Sequence, residues 1–167
     1  MYPFSNLSTL KMIYFAYFHT MIQYGIIFWG NSSESKKILL AQKDVIRIMT
    51  GSGRRASCKA LFQKLGILTI PSQYISSLME FLLQNQGMFT SNIEIHNINT
   101  RNNSELHKPI SNLTIYQRGV YNMCIRIFNK LPAHITNLVG SKRIFISTLR
   151  KYLADKSLYS VEEFLNE

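Results

Sequence analysis

Seven large apolar residues, Leu10, Ile13, Tyr14, Tyr17, Phe18, Met21 and Ile22, recur at spacings of three and four. That spacing places them on one face of a helix, because 3.6 residues complete a turn. It predicts a first helix from about residue 8 to 24, with Asn6 or Ser8 as its cap. The same period continues over residues 34 to 50, where Ile38, Ala41, Val45, Ile48 and Met49 share one face and Lys36, Lys43 and Arg47 another. Between these helices, Tyr24 to Gly30 is an aromatic, β-leaning run that reads as a packed helix end before the turn cluster Gly30-Asn31-Ser32-Ser33.

Gly51-Ser52-Gly53 stops the second helix, and Ser57 is placed to cap a short third one that ends at Leu65-Gly66. Pro71 opens a fourth over residues 72 to 86, with Tyr74, Ile75, Leu78, Phe81 and Leu82 as its core stripe. Further helical patterns cover residues 115 to 130, stopping before Pro132, and 142 to 156, with an acidic turn near 161 to 165. Residues 90 to 112 differ in kind: Asn, Ser, His and Thr dominate and large apolar side chains thin out. The chain therefore reads as mainly α. A bundle-like unit is expected over 7–88, a polar loop or linker over 89–112, and a small basic helical unit over 113–167.

Charge narrows the choice of partner. Nineteen Lys and Arg against nine Asp and Glu give a formal +10, a balance that favours a polyanion. The sign is segregated: Arg54, Arg55, Lys59 and Lys64 form an acid-free run, residues 65 to 100 hold no Lys or Arg, and Glu162, Glu163 and Glu167 gather at the end. Lys36, Lys43 and Arg47 lie near one another on the second helix and lead across the Gly-Ser-Gly break into Arg54, Arg55 and Lys59. Cations spaced by a helical turn and continued on a loop match the spacing of successive phosphates. Arg118, Arg126 and Lys130 suggest a second patch, with Tyr116 and Tyr121 nearby as stacking candidates or packing residues.

The same residues argue against chemistry. The only aspartates are Asp44 and Asp155, whereas two-metal phosphoryl transfer needs several carboxylates converging on the ions. Asp44 beside Lys43 and Arg47 reads as an ordinary surface ion pair. There is no Gly-x-Ser-x-Gly elbow, and Gly51-Ser52-Gly53-Arg54-Arg55 lacks the ending of a phosphate-binding P-loop. The four histidines form no pair at metal-binding helical spacing. Cys58 and Cys124 stand far apart and read as buried small apolar residues in a reducing, intracellular compartment, nuclear or cytoplasmic. Met12 to Trp29 has the length of a membrane span, but His19, Thr20, Gln23 and Gly25 interrupt it, so a buried helix and no membrane partner are expected. No catalytic residue, metal ligand or cofactor site is assigned within this chain.

Three stretches carry a family likeness: Gln23-Tyr24-Gly25-Ile26-Ile27-Phe28-Trp29-Gly30-Asn31, then Leu40-Ala41-Gln42-Lys43-Asp44-Val45-Ile46-Arg47-Ile48-Met49-Thr50-Gly51, then Cys58-Lys59-Ala60-Leu61-Phe62-Gln63-Lys64-Leu65-Gly66-Ile67-Leu68. Asn99-Thr100-Arg101-Asn102 and Phe128-Asn129-Lys130-Leu131-Pro132 follow in the same order. Together they resemble the C-terminal region, after the palm, of reverse transcriptases of non-LTR retrotransposons, particularly jockey-like elements. The resemblance implies that the first unit is a thumb gripping template and primer. Its partner would be RNA or an RNA–DNA hybrid, with the missing palm and fingers as further partners. Duplex contacts would fall to Lys43, Arg47, Arg54, Arg55 and Lys59, and a loop contact to Arg101. The family's RNA-directed DNA polymerization, with magnesium on palm carboxylates, implies an Asp-Asp turn that has no counterpart here. Tyr116 to Cys124 also departs from the basic, small-residue stretch usual before the Asn-x-Leu-Pro landmark. The alternatives are a non-catalytic protein-interaction module, or a retroelement remnant without selected function.

Overall fold

In a computed structural model, residues 6 to 96 and 105 to 166 are described, and they are mainly helical. The first apolar stripe forms α1 (Leu7–Ile13), a wider π-type segment (Tyr14–His19) and α2 (Thr20–Gln23). Asn6 caps it, accepting the Ser8 N–H at 3.4 Å. The expected single helix thus contains a widened turn, where the Thr20 hydroxyl donates to the Phe15 carbonyl at 2.8 Å.

Gly25 then takes a left-handed conformation, φ 63°, which a glycine adopts without Cβ strain. After it the aromatic run folds as a separate turn of helix, α3 (Ile26–Trp29), with the Trp29 Nε1–H donating to the Tyr24 carbonyl at 3.0 Å. Gly30 follows where backbone meets ring: a Cβ here would lie 2.5 Å from Cδ2 of Tyr74.

The second stripe gives α4 (Ser35–Thr50), closed by left-handed Gly51. Next comes α5 (Lys59–Leu65), whose cap is Cys58, without a side-chain bond, rather than the expected Ser57. The fourth helix, α6 (Ile70–Gln84), starts two residues earlier than the sequence predicts. Thr69 is its cap, and Pro71 fits the first turn, where its missing N–H is not needed.

α6 is the centre of the molecule. It is buried continuously from Ile70 to Ser76 and packs against α3 and α4. The helices that follow are α7 (Asn92–His96), α8 (Thr114–Gln117), α9 (Val120–Phe128), α10 (Ala133–Thr136), α11 (Lys142–Lys156) and α12 (Val161–Leu165), and of these α9, α11 and α12 pack against α6. One apolar cluster joins Ile22, Ile26 and Leu39 through Tyr74, Leu78 and Met79 to Cys124, Ile127, Phe145, Leu149 and Phe164. A second, of Tyr14, Ile46, Met49, Cys58, Phe62, Leu65 and Ile67, lies beneath the π-type segment, α4 and α5. Both cysteines are buried free thiols, and burial pushes Cys124 up to about 12.

The helix expected over 115 to 130 is broken in two. At Gly119 the backbone is extended, and the Asn122 amide donates to the Tyr116 carbonyl at 2.6 Å, satisfying the end of α8 locally. The polar stretch is tied at its described ends. Ser91 and Leu106 form one antiparallel bridge. Asn129 clamps Leu106 from both sides, accepting its N–H and donating to its carbonyl at 2.9 Å each.

Buried polar groups lock these elements. Gln42, 1% exposed, donates to Tyr14 Oη at 2.8 Å and to the Leu68 carbonyl at 2.9 Å, and its Oε1 accepts the Ile70 N–H at 3.0 Å. Thr69 both caps α6 and donates to the Leu158 carbonyl, fixing the segment between α11 and α12. Among the described residues no helix is long and apolar enough to cross a membrane.

Candidate nucleic-acid interface

The basic stripe on α4 divides into two kinds of residue. Lys36 is exposed near the start of the helix and makes no ion pair among the described residues. Lys43 instead places its ammonium 3.5 Å from the centre of the Tyr159 ring, a cation–π contact that ties α4 to the segment before α12. Burial lowers the Lys43 pKa, with Arg47 acting in the same direction and Glu163 against it. Arg47 is also engaged: Nη1 pairs with Asp44 at 2.8 Å and Nε donates to the Ala56 carbonyl at 3.2 Å.

Arg47 therefore shapes a basic loop from within. Gly51 turns the chain out of α4, and Ala56 is held back against that helix by the guanidinium. The Ala56 N–H donates to the Gly53 carbonyl at 2.9 Å, closing a tight turn with Arg54 and Arg55 at its two central positions. Both arginines are exposed, as are Lys59 and Lys64 on α5, and none of the four has an ion pair among the described residues. Asp44 lies behind the loop on Arg47 and Asp155 lies against Gln63 of α5, but neither pairs with these four charges, so all four remain open to a polyanion.

The second patch is less coherent. Arg118 is exposed at the end of α8, on the rim that faces Lys36 rather than beside Arg126. Arg126, half-buried on α9, meets the Met123 sulfur at 3.7 Å, and Lys130 is exposed in the turn beyond that helix. Tyr121 is not available for stacking, since its ring already lies parallel to Phe89 at 5.0 Å. Tyr116 is exposed. Arg101, and the Asn99 to Asn102 landmark with it, lies outside the described residues.

No family model, curated protein or solved structure matches this chain. The case for an interface therefore rests on the surface itself. Among the described residues three ion pairs form, Lys37–Glu34, Arg47–Asp44 and Arg150–Glu80, and none involves Lys36, Arg54, Arg55, Lys59 or Lys64. Among the described residues there is no group of three or more His, Cys, Asp or Glu placed to hold a metal ion.

Several surface features escape the sequence reading. Phe28, read as part of a packed helix end, is 79% exposed, and Met12, Tyr17, Met21 and Tyr24 are exposed on the preceding helices. Lys142 and Arg143 open α11 beside Ser147 and Ile146. Their adjacency in the sequence is a signal that helix periodicity alone passes over. Tyr159 carries no such signal, because its contact with Lys43 joins residues far apart in the chain.

Proposed function

We propose that this chain holds nucleic acid through phosphate contacts, in the manner implied by its resemblance to the thumb and post-palm region of a non-LTR retrotransposon reverse transcriptase. The observation that carries the proposal is the Gly53 to Ala56 turn, which presents Arg54 and Arg55 together and is followed by Lys59 and Lys64, none of the four in an ion pair among the described residues. The partner is RNA or an RNA–DNA hybrid, bound by shape and charge. Phosphate contacts carry no base information, and a near-A-form duplex hides its base edges in a deep groove. Polymerization belongs to the palm carboxylates of the parent family and is not assigned to this chain.

Fluorescence anisotropy with a labelled RNA–DNA hybrid, titrated from low to moderate salt, tests the reading. Each neutralised phosphate contributes about −0.9 to the slope of log K against log salt on duplex DNA. Arg54→Gln with Arg55→Gln is expected to flatten that slope by roughly 1.8 on the same scale. Affinity that hardly changes with salt, or a double variant that keeps the parent slope, refutes the proposal. The retroelement origin has its own check: the coding sequence upstream of Met1 should contain a palm with an Asp-Asp turn, in frame or frameshifted.

A further inference from the structure

The turn between α3 and α4 borders two adjoining cavities of different character. The first, of about 210 Å³, is lined by Lys36 from α4, Arg118 from the end of α8, and Ser32 and Ser33 from the turn. Lys36 and Arg118 are 82 residues apart in sequence, yet the fold brings both to this wall, and neither forms an ion pair among the described residues. Glu162 also lines this cavity, so two cations face one carboxylate. The second cavity, of about 570 Å³, shares Asn31, Ser32 and Arg118 with the first and continues along Phe28 and Ile115. Its lining contains no Asp or Glu. Phe28 and Ile115 are 79% and 77% exposed, so their flat and apolar surfaces are open to a ligand rather than spent on the core.

A ligand that fits both halves carries an anion at one end and a flat apolar group at the other. We infer that this cleft takes one nucleotide of a single-stranded extension, its phosphate held by Lys36 and Arg118 and its base laid on Phe28. Guanidinium and ammonium groups hold phosphate oxygens through charge-assisted hydrogen bonds, the guanidinium by a two-pronged fork. An exposed aromatic ring accepts any base by stacking, without sequence preference. The volume of the apolar half lies within the range of about 300–1,000 Å³ usual for small-ligand pockets. The inference rests on the nucleic-acid reading above and adds to it a place for one unpaired strand, away from the Arg54–Arg55 turn.

The test uses the full chain and three labelled probes at one salt concentration: a blunt RNA–DNA hybrid, the same hybrid with a short single-stranded overhang, and the overhang strand alone. The overhang is expected to tighten binding about tenfold, in line with the stacking of one or two bases. That ratio should fall to about one in Phe28→Ala and in Lys36→Gln with Arg118→Gln, and 4-thiouridine in the overhang should cross-link to the peptide holding Phe28 or Ile115. Phe28 and Ile115 are exposed, so these readouts do not depend on a disrupted core. Equal affinity with and without the overhang, a ratio unchanged in Phe28→Ala, or cross-links confined to α11 overturn the cleft while leaving blunt-hybrid binding intact. Displacement of the overhang by phosphatidylserine vesicles, with no cross-link at Phe28, overturns it in favour of a lipid. Binding of the strand alone with the Phe28 cross-link, and none to the blunt hybrid, upholds the cleft and refutes the duplex-gripping role.

Discussion

Replacing Gln42 by leucine tests how this fold is locked. The side chain is 1% exposed and makes three hydrogen bonds to three places: the Tyr14 hydroxyl, the Leu68 carbonyl and the Ile70 N–H. Leucine has nearly the same volume but none of the polar atoms. At about 1 kcal/mol net per bond, the loss is about 3 kcal/mol. Leaving a backbone N–H and C=O buried without partners adds roughly 1–3 kcal/mol, while the new apolar contact returns about 1. The expected destabilisation is therefore about 3–5 kcal/mol, or a fall in Tm on the order of 10 °C for a domain of this size. Circular dichroism at 222 nm during urea and thermal unfolding measures it. Tyr14→Phe removes one of the three bonds and should cost about 1 kcal/mol. The double variant should then cost less than the two single changes added, because Tyr14 and Gln42 share a bond. A leucine variant as stable as the parent, or strict additivity with Tyr14→Phe, would show that the network does not hold these elements together.

Gly30→Ala puts a Cβ 2.5 Å from Tyr74 Cδ2 and 2.7 Å from the Ile26 carbonyl. Since α3 and α6 are both packed there, a loss of about 1–3 kcal/mol in urea unfolding is expected, whereas the same change at Gly53, which has open space around it, should cost little. The pKa of His19 is lowered by burial and then by the Arg150 charge, so the unfolded chain binds the proton more readily than the folded one. Its contribution is fully present above the ordinary histidine value near 6.5 and declines as pH falls from there toward the lower folded value. His19→Gln should flatten stability against pH between about 7 and 5, and a variant with the parent's slope would contradict this.

Much of the scaffold is written in local sequence. The helical stretch over residues 7 to 23, the helix Ser35–Thr50, the stops at Gly51 and Gly66, and the helix after Pro71 can be read because helix periodicity and backbone restriction act within a few residues. The faces they bury cannot: α4 buries Leu39, Gln42, Ile46 and Met49 and leaves Ala41 and Ile48 of the stripe exposed, as Tyr17 and Met21 are on the first. The surplus of positive charge and the acid-free run at Arg54 to Lys64 can be read as well. What these features are used for depends on distant neighbours. The stretch without Lys or Arg from 65 to 100 appears in the sequence as charge segregation, and for its part in α6 the fold shows a reason: that helix is enclosed by α3, α4, α9, α11 and α12, and a cation on its buried face would lose its hydration. Lys43 and Arg47 belong by spacing to one stripe with Lys36, yet Tyr159 and Ala56 draw them into structural duties. Conversely, Lys36 and Arg118 read as parts of separate patches and end on one cleft. Sequence by itself determined the longer helices and the sign of the surplus charge, because both follow from residue type and short-range spacing. Only the tertiary structure decided which cations remain open to a ligand, because that depends on contacts between residues tens of positions apart.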